Sequence, residues 1–301
     1  MRKTISLKEP IPNTPTPIII VFVCFLALLW SGNGVFFKLG LNMLAPFSFT
    51  AARVLLGLLV IGTWSIIQKI PLKITSKEFV PLLTLSFMFL VQVYALHAGT
   101  NQTFASHSTV MMSAFPFFTA ILSHFFLKGD NLTPRTLFGI IIAFLGIIIT
   151  FLPQFKNTLS EKILLGNVIV LGSSFLLASR TILSKKLLTS FRPEKLLFWM
   201  LLFNLPTLLV LSFLLEGKTS ISFSIAGVCA ILYVGVIIAG FCFLAHTTIL
   251  SRYNASRVTI PFFITPVFGV FLSWIITHDP IGPSIIVGTI LVALGIILSS
   301  I

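Results

Sequence analysis

Two stretches of this chain repeat one another: ASHSTVMMSAFPFFTAILSHFF (105–126) aligns with ASRVTIPFFITPVFGVFLSWII (255–276) at an offset of 150 residues. Seven residues are identical between them, including the proline pair Pro116 and Pro266. After a slip of one residue, five further pairs match, in which Asp130, Pro134, Gly139, Leu145 and Gly146 meet Asp279, Pro283, Gly288, Leu294 and Gly295. So many matches at a nearly constant offset indicate an internal duplication.

The composition places both copies in a membrane. The 301 residues are 56% hydrophobic and 9% charged, with a mean hydropathy of +1.08, which excludes an ordinary soluble domain. A membrane-spanning helix needs about 20 apolar residues. The apolar runs then predict ten spanning helices, at 18–39, 47–67, 79–100, 104–127, 133–152, 162–184, 195–215, 223–249, 254–277 and 281–300.

The duplication fixes how these helices are arranged. A weaker match upstream, where Lys38 and Pro46 meet Lys185 and Pro193, gives each half five helices. An odd number of spans makes the second copy enter the membrane from the opposite side. We therefore predict an all-α membrane protein with ten transmembrane helices in two inverted five-helix repeats, at 18–152 and 162–300, after a disordered, proline-rich lead over 1–17.

The basic residues predict the orientation. With the N-terminus inside, fourteen of the 20 Lys and Arg residues fall on the inner side, three lie outside, and Lys38, Arg53 and Arg180 lie within spans. Positive charge in short loops favours the cytoplasmic side, so we predict a cell inner membrane protein with both termini cytoplasmic. Because the basic residues are scattered, the net charge of +13 does not form a nucleic-acid surface.

Several motifs resemble one family of transporters. These are LLWSGNGVFFKLGL (28–41), FTAARVLLGLL (49–59) and LKGDNLTPRTLFGIIIAFLGIII (127–149), together with the second copy of the last motif near 279–298. The chain resembles the EamA-type permeases of the drug/metabolite transporter superfamily over essentially its whole length. In place of the family's usual Glu after the fourth and ninth spans it has Asp130 and Asp279. The stretches LSKKLL (183–188) and ILSRYNASRVTIPFFITPV (249–267) are most similar to exporters of amino acids and their metabolites.

The resemblance implies a secondary transporter without an ATP site or a cofactor, exporting amino acids or related metabolites by alternating access. The alternative is an uptake or exchange permease for a larger metabolite, such as a nucleotide-like cofactor or a vitamin. An intramembrane enzyme is disfavoured, because the sequence lacks HExxH, GxSxG and an intramembrane Asp pair. The three cysteines lack metal-ligand spacing, so we expect no metal. A small-molecule substrate and the lipid bilayer are the expected partners of a chain that acts as a monomer.

Ionisable residues inside spans are the first candidates for function, because burying one costs roughly 2.5–3.5 kcal/mol on insertion scales. Lys38, Arg53 and Arg180 either extend to the membrane surface or bind an anionic substrate group. His97 and His246, nearly equivalent in the duplication, either pack with a hydrogen bond or relay a proton. The acidic residues all map to loops or helix ends.

Polar, aromatic and small residues complete the prediction. Side chains near the predicted midplane form either a substrate pathway or contacts between helices, and they are Trp30, Asn33, Gln92, Tyr94, Ser113, Ser173 and Ser174. Pro116 and Pro266 act either as packing kinks or as flexing points. Close helix packing is expected at two glycine pairs, Gly139 with Gly146 and Gly288 with Gly295.

Overall fold

A computed structural model describes residues 15–300 apart from 129, 131–132, 157–160 and 217–221. Over this part of the chain the fold is helices joined by short loops, without a strand. The helices are Pro17–Ser31, Asn33–Leu41, Pro46–Ile67, Ser76–Gln102, Ala105–Met112, Phe115–Phe126, Pro134–Lys156, Glu161–Leu187, Pro193–Leu215, Ile225–Leu232, Tyr233–Cys242, Phe243–Arg252, Ala255–Thr259, Ile260–Phe263, Ile264–Ile276 and Pro283–Ser300. Most of the predicted 1–17 lead lies outside the described residues, but Pro17 already begins the first helix.

The helices are those of a membrane protein. Seven helical stretches among the described residues are long and apolar enough to cross a bilayer, and shorter apolar helices lie at Leu137–Ile149, Thr265–Ile276 and Pro283–Gly295. Large apolar side chains also cover the outside of the molecule: Phe213 and Ile225, for instance, are more than four-fifths exposed. Such a surface is stable only against lipid.

Three of the predicted spans are interrupted rather than continuous. The first is interrupted at Gly32, and the Tyr233 hydroxyl donates a 2.6 Å hydrogen bond to the nearby Leu29 carbonyl. The fourth breaks at Ser113–Ala114, and Pro116 lies in the first turn of the helix that follows. The ninth passes through a 3₁₀ turn at Ile260–Phe263. Pro116 and Pro266 fit in the first turn of the helices that follow the second and third interruptions, because the N–H groups of a first turn lack partners within the helix.

Helix 225–252 contains a wide π-helical turn over Tyr233–Cys242, between Ile225–Leu232 and Phe243–Arg252. Small residues hold this turn against helix 46–67. A Cβ added at Gly235 would lie 2.7 Å from the Cβ of Leu56, and one added at Gly240 would lie 2.8 Å from the Cβ of Val60. This close approach places helix 46–67 beside Phe243, the first residue after the π turn.

The four glycines of the predicted packing sites come together where helix 134–156 crosses helix 283–300. A Cβ added at Gly146 would lie 2.6 Å from the carbonyl oxygen of Gly288, and one added at Gly295 would lie 2.4 Å from that of Gly139. Backbone therefore touches backbone at both ends of the crossing. These helices are the last of each repeat, so this contact joins the two halves.

Two aspartates also join the halves, in a crossed arrangement. The carboxylate of Asp279, from the second repeat, accepts a 2.8 Å hydrogen bond from the backbone N–H of Ser106 in the first. Asp130, from the first repeat, accepts hydrogen bonds from the backbone N–H (3.2 Å) and the hydroxyl of Ser256 in the second. We call these contacts the Asp279 tie and the Asp130 tie.

Each tie is buried and lies at a helix N-terminus, where a carboxylate is favoured. Asp279 and Asp130 are 5% and 7% exposed, although the sequence suggested only loop positions for them. A lysine lies within electrostatic range of each aspartate, Lys38 of Asp279 and Lys185 of Asp130, without forming an ion pair with it. The Asp279 tie and the Asp130 tie lie at opposite ends of the helix pair 105–126 and 255–276.

Candidate functional site

A cavity lies in the middle of the molecule, with walls from both repeats. The volume of the cavity is about 100 Å³. The first repeat contributes polar groups from helices 17–41, 46–67, 76–102 and 105–126, and the second contributes from helices 161–187, 225–252 and 255–276. Seven of the predicted pathway residues line the cavity: Trp30, Asn33, Arg53, Gln92, Ser113, Arg180 and His246.

Arg53 lies in the cavity wall and is only 2% exposed, so its side chain does not extend to the membrane surface. Its Nη1 lies 3.3 Å from Nε2 of His97, and its guanidinium carbon lies 5.6 Å from the centroid of the Phe243 ring. Its Nε has no hydrogen-bond partner. Helix 46–67 places the side chain there because it packs closely against the π turn. A Cβ added at Gly57 would lie 2.9 Å from the Cβ of Ala239.

The partners of His97 define its tautomer. The Thr50 hydroxyl donates its one proton to the Pro46 carbonyl at 2.7 Å, so it accepts from Nδ1 of His97 at 2.6 Å. Nε2 is then unprotonated and accepts from Arg53. This assignment follows from the hydrogen-bond network. His97 also stacks on Phe37, with ring centroids 3.7 Å apart, and does not itself line the cavity.

Arg180 enters the cavity from helix 161–187 and is 8% exposed. Its guanidinium carbon lies 5.2 Å from the Phe89 ring centroid and 5.6 Å from that of Phe243. Its polar contact is a weak one, from Nη1 to the Met200 sulfur at 3.6 Å, and its Nε has no partner. Such a guanidinium is held in place by rings while most of its N–H donors stay available.

Phe243 is thus shared by both arginines. Since each guanidinium carbon is 5.6 Å from the same ring centroid, the two carbons are at most twice that distance apart. Trp30 stacks on this ring at 5.4 Å. Phe243 was not predicted as a site residue, because one phenylalanine among 31 carries no signal until the helices are assembled.

The aromatic side of the cavity continues from Trp30. Its ring lies edge to face with His246 at 5.7 Å and Phe262 at 5.5 Å. His246 Nε2 is buried without a partner. Asn33 likewise has an unpartnered side-chain oxygen. The cavity therefore offers rings and unused polar atoms side by side, as in sites for small organic molecules.

Other predicted residues have different surroundings. Gln92 donates to the Ser173 hydroxyl at 3.2 Å, so it also joins helices 76–102 and 161–187. Tyr94 is 45% exposed and stacks on Phe47, away from the cavity. It follows Gln92 by two residues, which places it nearly on the opposite face of an α-helix. Lys38 is half-buried near Asp279 and Phe104 and does not line the cavity.

The two prolines frame the cavity symmetrically. In an α-helix each residue bonds to the carbonyl four residues before it, and proline cannot do so. The residues four positions before Pro116 and Pro266 are Met112 and Phe262, and both line the cavity. Gly269 brings the two broken helices together, because a Cβ there would lie 2.2 Å from the Thr109 methyl group.

Comparisons with known proteins identify the family. The sequence matches the EamA-like transporter family twice, at residues 17–152 and 164–301. The chain belongs to this family. The two matches confirm the duplication and the resemblance to EamA-type permeases. An EamA-like chain of this composition is a multi-pass membrane transporter of small molecules.

Two relatives are distant in sequence but match over nearly the whole chain. The chain is 23% identical to the uncharacterized transporter YoaV of Bacillus subtilis, over 94% of this chain and 96% of that protein. It is 22% identical to a probable amino-acid metabolite efflux pump of Escherichia coli, over 92% of each. A solved crystal structure shares the fold, with a TM-score of 0.74 at 13% identity, covering 95% of this chain and 97% of the other.

Proposed function

We propose that this chain is a secondary transporter that exports amino acids or related small metabolites across the cytoplasmic membrane by alternating access. The observation that carries the proposal is the central cavity, whose walls come from both repeats. Similarity to proteins named probable amino-acid metabolite efflux pumps supports export. Because the cavity is complete within one chain, a monomer suffices.

The membrane arrangement is part of the proposal. We propose ten spans in two inverted repeats, with both termini cytoplasmic. The three shorter apolar helices then cross the bilayer in addition to the seven long ones. Lys128 and His278, both exposed, then face opposite sides. In intact cells, an impermeant maleimide should label His278→Cys and spare Lys128→Cys. Equal labelling of both would contradict inverted repeats.

The access mechanism uses the crossed helices 105–126 and 255–276. Under the proposed orientation the Asp279 tie lies at the outer end of this pair and the Asp130 tie at the inner end. Opening one tie while the other holds would expose the cavity to one side, with the interruptions near Pro116 and Pro266 as the bending points. Inverted repeats make the two openings structurally equivalent, which is how such carriers alternate.

Transport itself is tested in vesicles containing the purified chain and a panel of labelled amino acids. Ser113→Trp should abolish transport by filling the cavity, since Ser113 is buried in its wall. Gly172→Trp is the matched control, because nothing lies within 4 Å of a Cβ at Gly172. Loss of transport in both variants, or in neither, contradicts a route through this cavity. Resistance of overexpressing cells to a toxic amino-acid analogue indicates export.

The second candidate is an uptake or exchange permease for a larger metabolite, such as a nucleotide-like cofactor or a vitamin. The two arginines of the cavity wall favour it, since guanidinium groups bind the phosphate groups that a nucleotide-like metabolite carries. An auxotroph rescued by the chain at low external metabolite would support this candidate.

A further inference from the structure

The cavity contains positive charge that no acidic residue of the described chain neutralises. Arg53 and Arg180 both line it, and a guanidinium stays protonated in proteins. Glu9 is outside the described residues. The other acidic residues are occupied or placed elsewhere: Glu78 pairs with Lys195, Glu194 with Arg192, Glu216 accepts from the backbone of helix 46–67, Asp130 and Asp279 form the ties, and Glu161 is exposed.

The hydrogen bonds that the arginines do make leave most of their donors unused. Arg53 uses Nη1 on a histidine nitrogen, and Arg180 uses Nη1 on a thioether sulfur, which is a weak acceptor. The Nε of each is buried and unpartnered. Burying a charge without such compensation is costly. Two guanidinium groups with unused N–H donors at one cavity can bind the carboxylate or phosphate groups of an anion.

The same charge distribution discriminates between classes of metabolite. A zwitterionic amino acid brings an ammonium group as well as a carboxylate, and no Asp or Glu stands among the described residues that line the cavity. The faces of Phe89 and Phe243 already receive the two guanidinium groups. Among the lining groups the ammonium would meet only neutral acceptors, such as the unpartnered Asn33 oxygen, beside two like charges, whereas a second anionic group would meet a second arginine.

We infer that the transported metabolite is an organic acid with net negative charge, whose carboxylate or phosphate groups are bound by Arg53 and Arg180. The inference rests on the proposed transport function and narrows its substrate. The planar guanidinium of arginine binds carboxylate and phosphate groups with the same bidentate geometry. The experiment below therefore distinguishes a carboxylate substrate from a phosphate substrate. His97 is a positioning residue, because it holds Arg53 through the Thr50 hydrogen bond.

Ligand binding to the purified full chain tests the inference first on the unaltered protein. Thermal stabilisation is measured with succinate, glycerol phosphate, leucine and glycerol as probes. We expect succinate or glycerol phosphate to bind at least tenfold more tightly than leucine, and glycerol to have no effect. Preference for succinate identifies a carboxylate site, and preference for glycerol phosphate a phosphate site. Leucine binding as tightly as both anions overturns the inference.

Variants then connect the anion to the two arginines. Arg53→Gln and Arg180→Gln should each weaken the better anion at least tenfold, and Arg→Lys at the same positions should restore part of the loss by restoring the charge. Arg252→Gln removes an equal charge from an exposed position and should bind normally. Anion affinity that is unchanged in both Gln variants overturns the inference, as does an equal loss in Arg252→Gln.

The result also separates this inference from the proposed function. If vesicles move leucine while neither anion binds, the chain is a transporter and the assignment of an anionic substrate is wrong. If neither the panel of amino acids nor the anions bind or cross, both proposals fail.

Discussion

The Asp279→Asn substitution weakens one of the two crossed ties while keeping the size of the side chain. The Ser106 N–H then meets a neutral acceptor in place of a carboxylate at 2.8 Å. Hydrogen bonds to charged groups contribute about 1.5–3 kcal/mol and neutral ones about 0.5–1.5, and the helix N-terminus adds a few tenths. The tie therefore loses about 1–2 kcal/mol, which shifts a two-state equilibrium roughly five- to thirtyfold.

The shift is measured as solvent access to the cavity. Ser113→Cys serves as a reporter in a chain whose native cysteines, Cys24, Cys229 and Cys242, are replaced by alanine. An impermeant maleimide is applied from outside to oriented vesicles. Asp279→Asn should speed labelling by about five- to thirtyfold, because it releases the end of the crossed pair that we assign to the outer side.

Asp130→Asn is the matched control at the other end, where two hydrogen bonds connect the carboxylate to Ser256. It should slow labelling from outside and speed labelling from inside. Opposite effects of two chemically identical substitutions are not produced by general destabilisation. If both variants change the outside rate in the same direction, or leave it unaltered, the ties do not control access and the mechanism is refuted.

Three further results are expected. Gly295→Ala should lower the thermal unfolding temperature, because its Cβ would lie 2.4 Å from the Gly139 carbonyl oxygen and overpacking costs about 1–3 kcal/mol. The control Gly172→Ala has open space around it and should unfold at the temperature of the unaltered chain or above, and equal unfolding temperatures of the two variants would contradict this. His97→Gln should retain more anion affinity than His97→Ala, because Gln keeps an acceptor near Arg53; equal binding removes the positioning role. Vesicles preloaded with unlabelled anion should take up labelled anion faster than empty ones, since an empty cavity leaves its arginines unpaired; equal rates argue against this cost.

Much of the fold was predictable from the sequence, because lipid allows few alternatives. A run of about 20 apolar residues that must satisfy its own backbone hydrogen bonds becomes a helix, and most predicted helix ends differ from the structure by only a few residues. The interruption at Gly32 was not predicted. The hydrogen bond next to it comes from Tyr233, a residue about 200 positions away along the chain.

The candidate site was predictable only in part. A charge inside an apolar run is unusual enough to be noticed, so Arg53, Arg180 and His246 stood out, and all three line the cavity. Tyr94 was selected on its chemical type, and it lies on an exposed face of its helix outside the cavity lining. The snorkelling alternative for Arg53 and Arg180 required knowledge of their depth, which the structure supplies: both are buried among rings.

The sequence by itself determined that the chain lies in lipid, that it is helical and that it is duplicated, because apolar content and repeated residues can be read directly along the chain. Only the tertiary structure decided which charges meet. Asp279 is bonded to Ser106 across 173 positions, and both arginines share one phenylalanine ring. Electrostatic partners depend on separations of a few ångströms in space, and helix rotation and packing set these separations after the order of residues is fixed.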